Sequence, residues 1–215
     1  MKKYRLIIFD LDGTLADTSE GILECHKYAN SVMGRPVPSD EELSGIIGDP
    51  LLKTYKERFR FADNDAKKAV EIYRNKYAET GIYGAKVYKH IPQTLAELKN
   101  MGMRLAVATL KAEPLAKKIL NNLNIAKYFD VIHGVDLSDT LNKPDLIDLC
   151  INDINVSKDE SALVGDSVHD AIGAKKSGID FIAVRYGFGF LPTDKLDDIN
   201  ATFVIDDPNE LTNIL

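Results

Sequence analysis

Arg5-Leu6-Ile7-Ile8-Phe9-Asp10-Leu11-Asp12-Gly13-Thr14-Leu15 is the stretch around which the rest of the chain is organised. Leu6 to Asp10 reads as a short buried strand, an apolar run closed by a carboxylate. Unbroken apolar runs of this length suit a parallel strand covered on both faces. A second carboxylate, Asp12, follows two residues later, and Gly13 lets the chain turn. Alternate residues of an extended segment project to one side, so Asp10 and Asp12 can share a small volume. Two like charges held that close are unfavourable unless a cation or a proton sits between them.

Downstream of Leu15 the period changes. Apolar residues recur at Ile22, Leu23, Ala29, Val32 and Met33, which is helical spacing, and Gly34, Pro36 and Pro38 end that helix. Ser39 and Glu42 form a capping-box signature for a further short helix. Gly45-Ile46-Ile47-Gly48-Asp49-Pro50 reads as a loop. Two more helical patterns follow, one through Leu51, Leu52, Tyr55 and Phe59, the other through Ala66, Ala69, Val70, Tyr73 and Tyr77 up to Gly81. Residues 17–82 therefore read as an inserted, all-helical subdomain, and residues 1–16 with 83–215 as the domain that carries it.

From about Val87 strands and helices alternate. Predicted strands cover 105–109, 129–132, 162–166, 181–184 and 201–205. Predicted helices run from Pro92 to Gly102, over 113–123, from Lys143-Pro144 to about Ile154, over 168–177 and over 208–214. Repeated β-then-α units imply an α/β fold with a Rossmann-like, doubly wound parallel sheet. Ligands of such sheets bind beyond the carboxyl ends of the strands. Asp10 and Asp12, Thr109 and Asp166 all stand at such ends, and Lys143 opens the helix ahead of the strand that closes on Asp166.

Composition narrows the partners. The net charge of −6 argues against a general nucleic-acid partner or an anionic membrane surface, but not against an anionic substrate, because a bound metal and one or two lysines can invert the field locally. Cys25 and Cys150 have no metal-binding or redox spacing and read as buried thiols of a cytoplasmic protein. The apolar run behind Lys2, Lys3 and Arg5 is too short for a signal peptide or a membrane span.

Taken in order, Phe9-Asp10-Leu11-Asp12-Gly13-Thr14-Leu15, Val107-Ala108-Thr109, Lys143-Pro144 and Gly165-Asp166-Ser167-Val168-His169-Asp170 closely resemble the four motifs of the haloacid dehalogenase superfamily. The helical insert after the first motif resembles that of its helical-cap subclass. Ile47-Gly48-Asp49-Pro50-Leu51 and Tyr186-Gly187-Phe188-Gly189 are most similar to the phosphoglycolate phosphatase-like and 5′-nucleotidase-like phosphatases. The resemblance implies a Mg²⁺-dependent phosphatase that takes a small phosphorylated metabolite through an aspartyl-phosphate, as a monomer or weak homodimer.

By that resemblance Asp10 is the nucleophile and Asp12 the general acid and base, with Thr109 and Lys143 binding the phosphoryl group. Asp10, Asp166 and Asp170 are implied around the metal, together with the main-chain carbonyl of Asp12. Asp170 orients either Lys143 or a metal-bound water. One departure stands out: many relatives have Asn after the second-motif hydroxyl, where this chain has Leu110, followed by Lys111. Lys111 either compensates or faces solvent.

A phosphosugar mutase of the same superfamily is the alternative, and it needs water excluded from the phospho-aspartate. Thr14 and the Tyr186–Gly189 segment favour the phosphatase by resemblance. A receiver-like phospho-accepting module uses a similar acidic cluster, but it is shorter, lacks the insert and accepts on a later strand. Substrate choice is expected to lie in the helical insert and its loop Gly45–Pro50.

Overall fold

A computed structural model describes residues 4–43, 45–136, 140–190 and 196–215, with Asp197 described for its backbone alone. Lys2 and Lys3 lie outside the described residues. The chain divides into a sheet unit, Met1–Asp17 with Lys86–Leu215, and a helical unit, Thr18–Ala85.

Strand β1 (Leu6–Phe9) opens the sheet unit with all four side chains buried. It stops one residue short of the expected Asp10, whose N–H still reaches the carbonyl of Val164 at 3.0 Å while its side chain turns to other partners. Strand β2 (Ala16–Asp17) is a short ribbon strand. The helical unit then runs through α1 (Ser19–Val32), α2 (Leu51–Lys53), which continues as a π-helical turn over Thr54–Arg58, and α3 (Asp63–Glu79). Ser39 and Glu42 do exchange the two capping-box hydrogen bonds, at 2.8 and 3.2 Å, but they close a turn rather than start a helix. Gly45, at φ +69°, takes a left-handed conformation just beyond and does not extend it.

Strand β3 (Lys86–Val87) pairs antiparallel with β2. The alternating pattern expected from Val87 therefore begins with a two-stranded ribbon outside the main sheet. The rest of the sheet unit is α4 (Ile91–Asn100), β4 (Arg104–Ala112), α5 (Glu113–Asn122), β5 (Val131–Val135), α6 (Lys143–Ile154), β6 (Ser161–Gly165), α7 (Val168–Ser177), β7 (Asp180–Val184), β8 (Phe203–Ile205) and α8 (Leu211–Ile214). Six strands form one parallel sheet in the order β5-β4-β1-β6-β7-β8. The α/β, Rossmann-like architecture is as the sequence implied.

Several boundaries moved. Strand β4 runs on past Thr109 to Ala112, with an irregularity in its pairing with β5 between those two residues. Strand β5 starts at Val131 rather than 129, because the Phe129 N–H closes the 3₁₀ turn Ala126–Tyr128 on the carbonyl of Ala126, while its ring packs edge-on to Phe9, ring centroids 6.1 Å apart. The Asp130 carboxylate there accepts the Leu105 N–H and pairs with Lys99 and Arg104. Strand β8 starts two residues later than expected, and the last helix is split into a 3₁₀ turn, Pro208–Glu210, and α8.

Leu6 and Ile8 of β1 join Ala106, Ala108, Leu163, Leu146, Ile147 and Cys150 in one buried cluster. Ile7 and Phe9 alternate to the other face and are also fully buried. Burial on both faces is why the run is unbroken. Each such side chain stabilises the fold by about 1.5–3 kcal/mol. Among the described residues no helix is long and apolar enough to cross a membrane.

Candidate active site

Register brings the motifs together. Phe9 stands level with Val107 of β4 and Val164 of β6, so Asp10 emerges between the ends of its two neighbouring strands. Asp166 follows β6 directly, and Thr109, 1% exposed, lies on β4. This end of a doubly wound sheet, at its central strand, is where such folds bind ligands.

Lys143 reaches this point because of how α6 begins. Asn142 and Asp145 form a reciprocal capping box that sets Lys143 at the first helical position, and Pro144 follows. The Lys143 ammonium donates to Oδ1 of Asp10 at 2.8 Å and to the carbonyl of Ala108 at 3.0 Å, and lies 2.7 Å from Oδ1 of Asp170. Two of its three N–H donors make these hydrogen bonds, and Asp170 is held beside it as an ion pair. Gly173 of α7 makes room for the lysine stem: a Cβ there would run into Cγ of Lys143.

Asp170 is placed by the start of α7, where it and Ser167 form a second capping box. Its Oδ2 accepts the Ser167 hydroxyl at 2.6 Å and the Ser167 N–H at 3.1 Å, which leaves Oδ1 to Lys143. Of the two tasks the sequence left open for Asp170, the observed contact is with Lys143.

Asp166 is held from the loop after β7. Phe188 and Gly189 donate their N–H groups to its Oδ2 at 2.7 and 3.0 Å. The Thr14 hydroxyl lies 3.5 Å from its Oδ1, and Tyr186 donates to the Thr14 carbonyl at 3.1 Å. Gly13, at φ +78°, lies so close to the Asp166 carboxylate that any Cβ would collide with it. Left-handed backbone and close approach both require glycine at this turn.

Burial lifts the Asp10 carboxyl above its ordinary range. Lys143 pulls it back, and the charges of Asp170, Asp12 and Asp166 lift it again. Burial, then the Asp170 charge, pushes Asp166 up to about 6 against the pull of its two N–H donors. Burial disfavours the Lys143 ammonium, but Asp10 and Asp170 outweigh that and hold it above its usual range. Burial is the largest influence on all three, and the crowding of acids around one ammonium adds to the rise of each.

The donor set fits a divalent cation. Asp10, Asp166 and Asp170 are buried and each brings a carboxylate oxygen within 4.8 Å of the others. Hard oxygen donors around an octahedral Mg²⁺ at about 2.1 Å stand roughly 3–4 Å from one another. Three carboxylates against the single ammonium of Lys143 leave two negative charges in excess, the charge such an ion carries.

Asp12 is the sequence-predicted residue whose carboxylate is not in that group. Its Oδ2 pairs instead with Nζ of Lys111 at 3.1 Å, the two side chains 13% and 9% exposed. Lys111 therefore does not face solvent. Leu110 packs against the apolar core, so the position where many relatives carry an amide is an apolar one here. His169 is exposed on α7, and Lys53, Arg58 and Arg60 are exposed in the helical unit.

Sequence reasoning missed the amide clamp of Phe188 and Gly189 on Asp166, the role of Thr14 beside it and the Lys111–Asp12 pair. The closely spaced Gly187 and Gly189 were the available signal: a Cβ on either would strike Asp166.

A sequence profile of haloacid dehalogenase-like hydrolases matches residues 7–184. A 5′-nucleotidase of Pseudomonas aeruginosa is 35% identical over 188 residues, covering 87% of this chain and 85% of the other. The tyrosine-protein kinase PtkA of Mycobacterium tuberculosis is 35% identical over 201 residues, 93% of this chain and 68% of that one. The solved structure of a haloacid dehalogenase-like family hydrolase from Streptococcus pneumoniae superposes with a TM-score of 0.92 at 29% identity, covering 100% of this chain and 99% of the other.

Proposed function

The chain belongs to the haloacid dehalogenase-like hydrolases, and from that membership we propose that it is a Mg²⁺-dependent phosphatase of small phosphate monoesters with Asp10 as nucleophile. The observation that carries this reading is the Lys143 bridge, 2.8 Å to Asp10 and 2.7 Å to Asp170, inside a buried group of three carboxylates at the end of β1.

Asp10, Asp166 and Asp170 would hold the ion, with the main-chain carbonyl of Asp12. The ion supplies the positive charge that lets an anionic carboxylate approach a phosphate dianion. Asp10 forms a bond to phosphorus as the bond to the leaving oxygen breaks, and Asp12 gives that oxygen a proton. Asp12 then takes a proton from the water that attacks phosphorus, the Asp10–phosphorus bond breaks, and orthophosphate leaves. Lys143 fixes the Asp10 carboxylate and stands where negative charge must be stabilised. The Thr109 hydroxyl binds a phosphoryl oxygen. The small phosphorylated substrate is of the phosphoglycolate or nucleoside monophosphate type.

The test is phosphate release from a panel of phosphoglycolate, nucleoside monophosphates, sugar phosphates and an aryl phosphate, with Mg²⁺ and after chelation. Activity that disappears on chelation and in Asp10→Asn, with the fold intact by circular dichroism, is the expected outcome. Full activity after exhaustive chelation, or in Asp10→Asn, refutes the reading.

A further inference from the structure

We propose that Lys111 selects substrates carrying a second negative group on the leaving-group side of the ester, such as a carboxylate or a further phosphate. The proposal rests on the phosphatase reading above, in which Asp12 acts at the leaving oxygen. A group that protonates that oxygen lies within about 3 Å of it. Nζ of Lys111 is 3.1 Å from the Asp12 carboxylate. Whatever the leaving group carries one or two bonds beyond its oxygen is thereby presented to the Lys111 ammonium.

Lys143 is not suited to this task. It donates to Asp10 and Ala108 and lies 2.7 Å from the Asp170 carboxylate, so it belongs to the acid group and to the transferred phosphoryl. Lys111 instead pairs with Asp12, the group that serves the leaving oxygen. The backbone also fixes its place. The Lys111 N–H donates to Oγ1 of Thr109 at 3.2 Å, and its carbonyl packs so closely on Gly134 that a side chain there would collide with it. Pairing of β4 with β5 resumes at Ala112 opposite Val135. Thr109 and Lys111 thus stand on one short rigid segment, the first assigned to the phosphoryl group and the second to the remainder of the substrate. The opposing reading is that Lys111 is only an internal ion pair that ties the end of β4 to the loop after β1.

Three substrates separate the two. Phosphoglycolate carries a carboxylate, pyrophosphate a second phosphate, and ethyl phosphate no second charge. The full chain with Mg²⁺ is expected to prefer the first or second over the third. Lys111→Met is expected to lower kcat/KM for the preferred charged substrate about 10- to 100-fold, the worth of one charge-assisted hydrogen bond, chiefly through KM. Ethyl phosphate, which feels only the altered surroundings of Asp12, should lose at least about threefold less than the charged substrate. Lys111→Arg, which keeps the charge and the ion pair, should restore most of the loss.

Equal losses on all three substrates, or no preference for a charged leaving group in the unaltered chain, overturn the proposal. A loss confined to phosphoglycolate or to pyrophosphate identifies which anion Lys111 reads. Calorimetric titration of both charged compounds into Asp10→Asn, with and without Lys111→Met, separates this proposal from its premise. If no ester is hydrolysed and yet Lys111→Met weakens either binding tenfold or more, the phosphatase reading fails and the anion site stands. If neither binding changes, the anion site fails.

Discussion

Two buried polar centres, one in each unit, solve opposite problems. In the sheet unit, Asp10, Asp166 and Asp170 are packed as charges with Lys143 as their ammonium partner. In the helical unit, His26 is 2% exposed, its Nδ1 3.2 Å from the Tyr55 hydroxyl, with the rings of Tyr73, Phe59 and Tyr55 at 4.5, 5.8 and 5.4 Å. Burial drives the imidazole down to about 3, so it is neutral. The helical unit pairs its buried group with a hydroxyl and aromatic faces and leaves no charge to balance. The sheet unit keeps an unbalanced negative charge that a proton or a cation from outside relieves. A centre that is internally satisfied reads as structure, and one that needs an external partner reads as function.

The largest test of that contrast is Lys143→Met. Removing one partner of a buried ion pair strands the carboxylates, and a loss of about 3–5 kcal/mol of stability is expected. Turnover should fall by about 10²–10³ or more, as when a transition-state cation is removed. Chemical unfolding and steady-state kinetics check both, and a variant of unchanged stability would mean that the acids are not charged in the folded chain.

The second test is the joint effect of cation and pH on the sheet unit. The folded Asp166 carboxyl sits at about 6, above its ordinary 3.8, so the folded state binds the proton more tightly than the unfolded. This contribution is therefore largest below pH 3.8 and is lost as pH rises through about 6, by roughly 3 kcal/mol. Mg²⁺, which replaces the proton, should raise the Tm far more at pH 8 than at pH 5. Thermal melts with Mg²⁺ and with chelator at both pH values check it, and equal shifts would place the ion elsewhere.

The smallest effect is expected in the helical unit, with the opposite sign. The folded His26 imidazole sits at about 3 against an ordinary 6.5. Its contribution is complete above pH 6.5 and is lost as pH falls towards 3, reaching about 2 kcal/mol at pH 5. His26→Gln should flatten this dependence. Hydrogen exchange of α1 and α3 amides between pH 7.5 and 5 reads it out, and an unchanged slope would mean that His26 is not held neutral.

The sheet-end chemistry was legible because its signals are local. An apolar run ending in a carboxylate announces both a buried strand and a misplaced charge, and Asp10 and Asp166 share that pattern. Lys143 was legible because Lys-Pro marks a helix start, and the structure sets it at the first position of α6. Ser39 and Glu42 show the limit of the same logic, since the box formed without a helix behind it.

What the sequence determined by itself is the alternation of β and α units, the helical insert and the acids at successive strand ends. Periodicities of 2 and 3.6 are properties of neighbouring residues and need no knowledge of the fold. Only the tertiary structure decided who meets whom. Phe188 and Gly189 clamp Asp166 across more than twenty residues of chain, Lys111 turns to Asp12 across a pairing irregularity that no period reveals, and Gly13 and Gly173 open the room that Asp166 and Lys143 occupy. Those choices depend on close approach between segments far apart in sequence. They are set when the sheet closes and the helices dock, because packing tolerates no overlap and a buried charge must find its partner within a few ångströms.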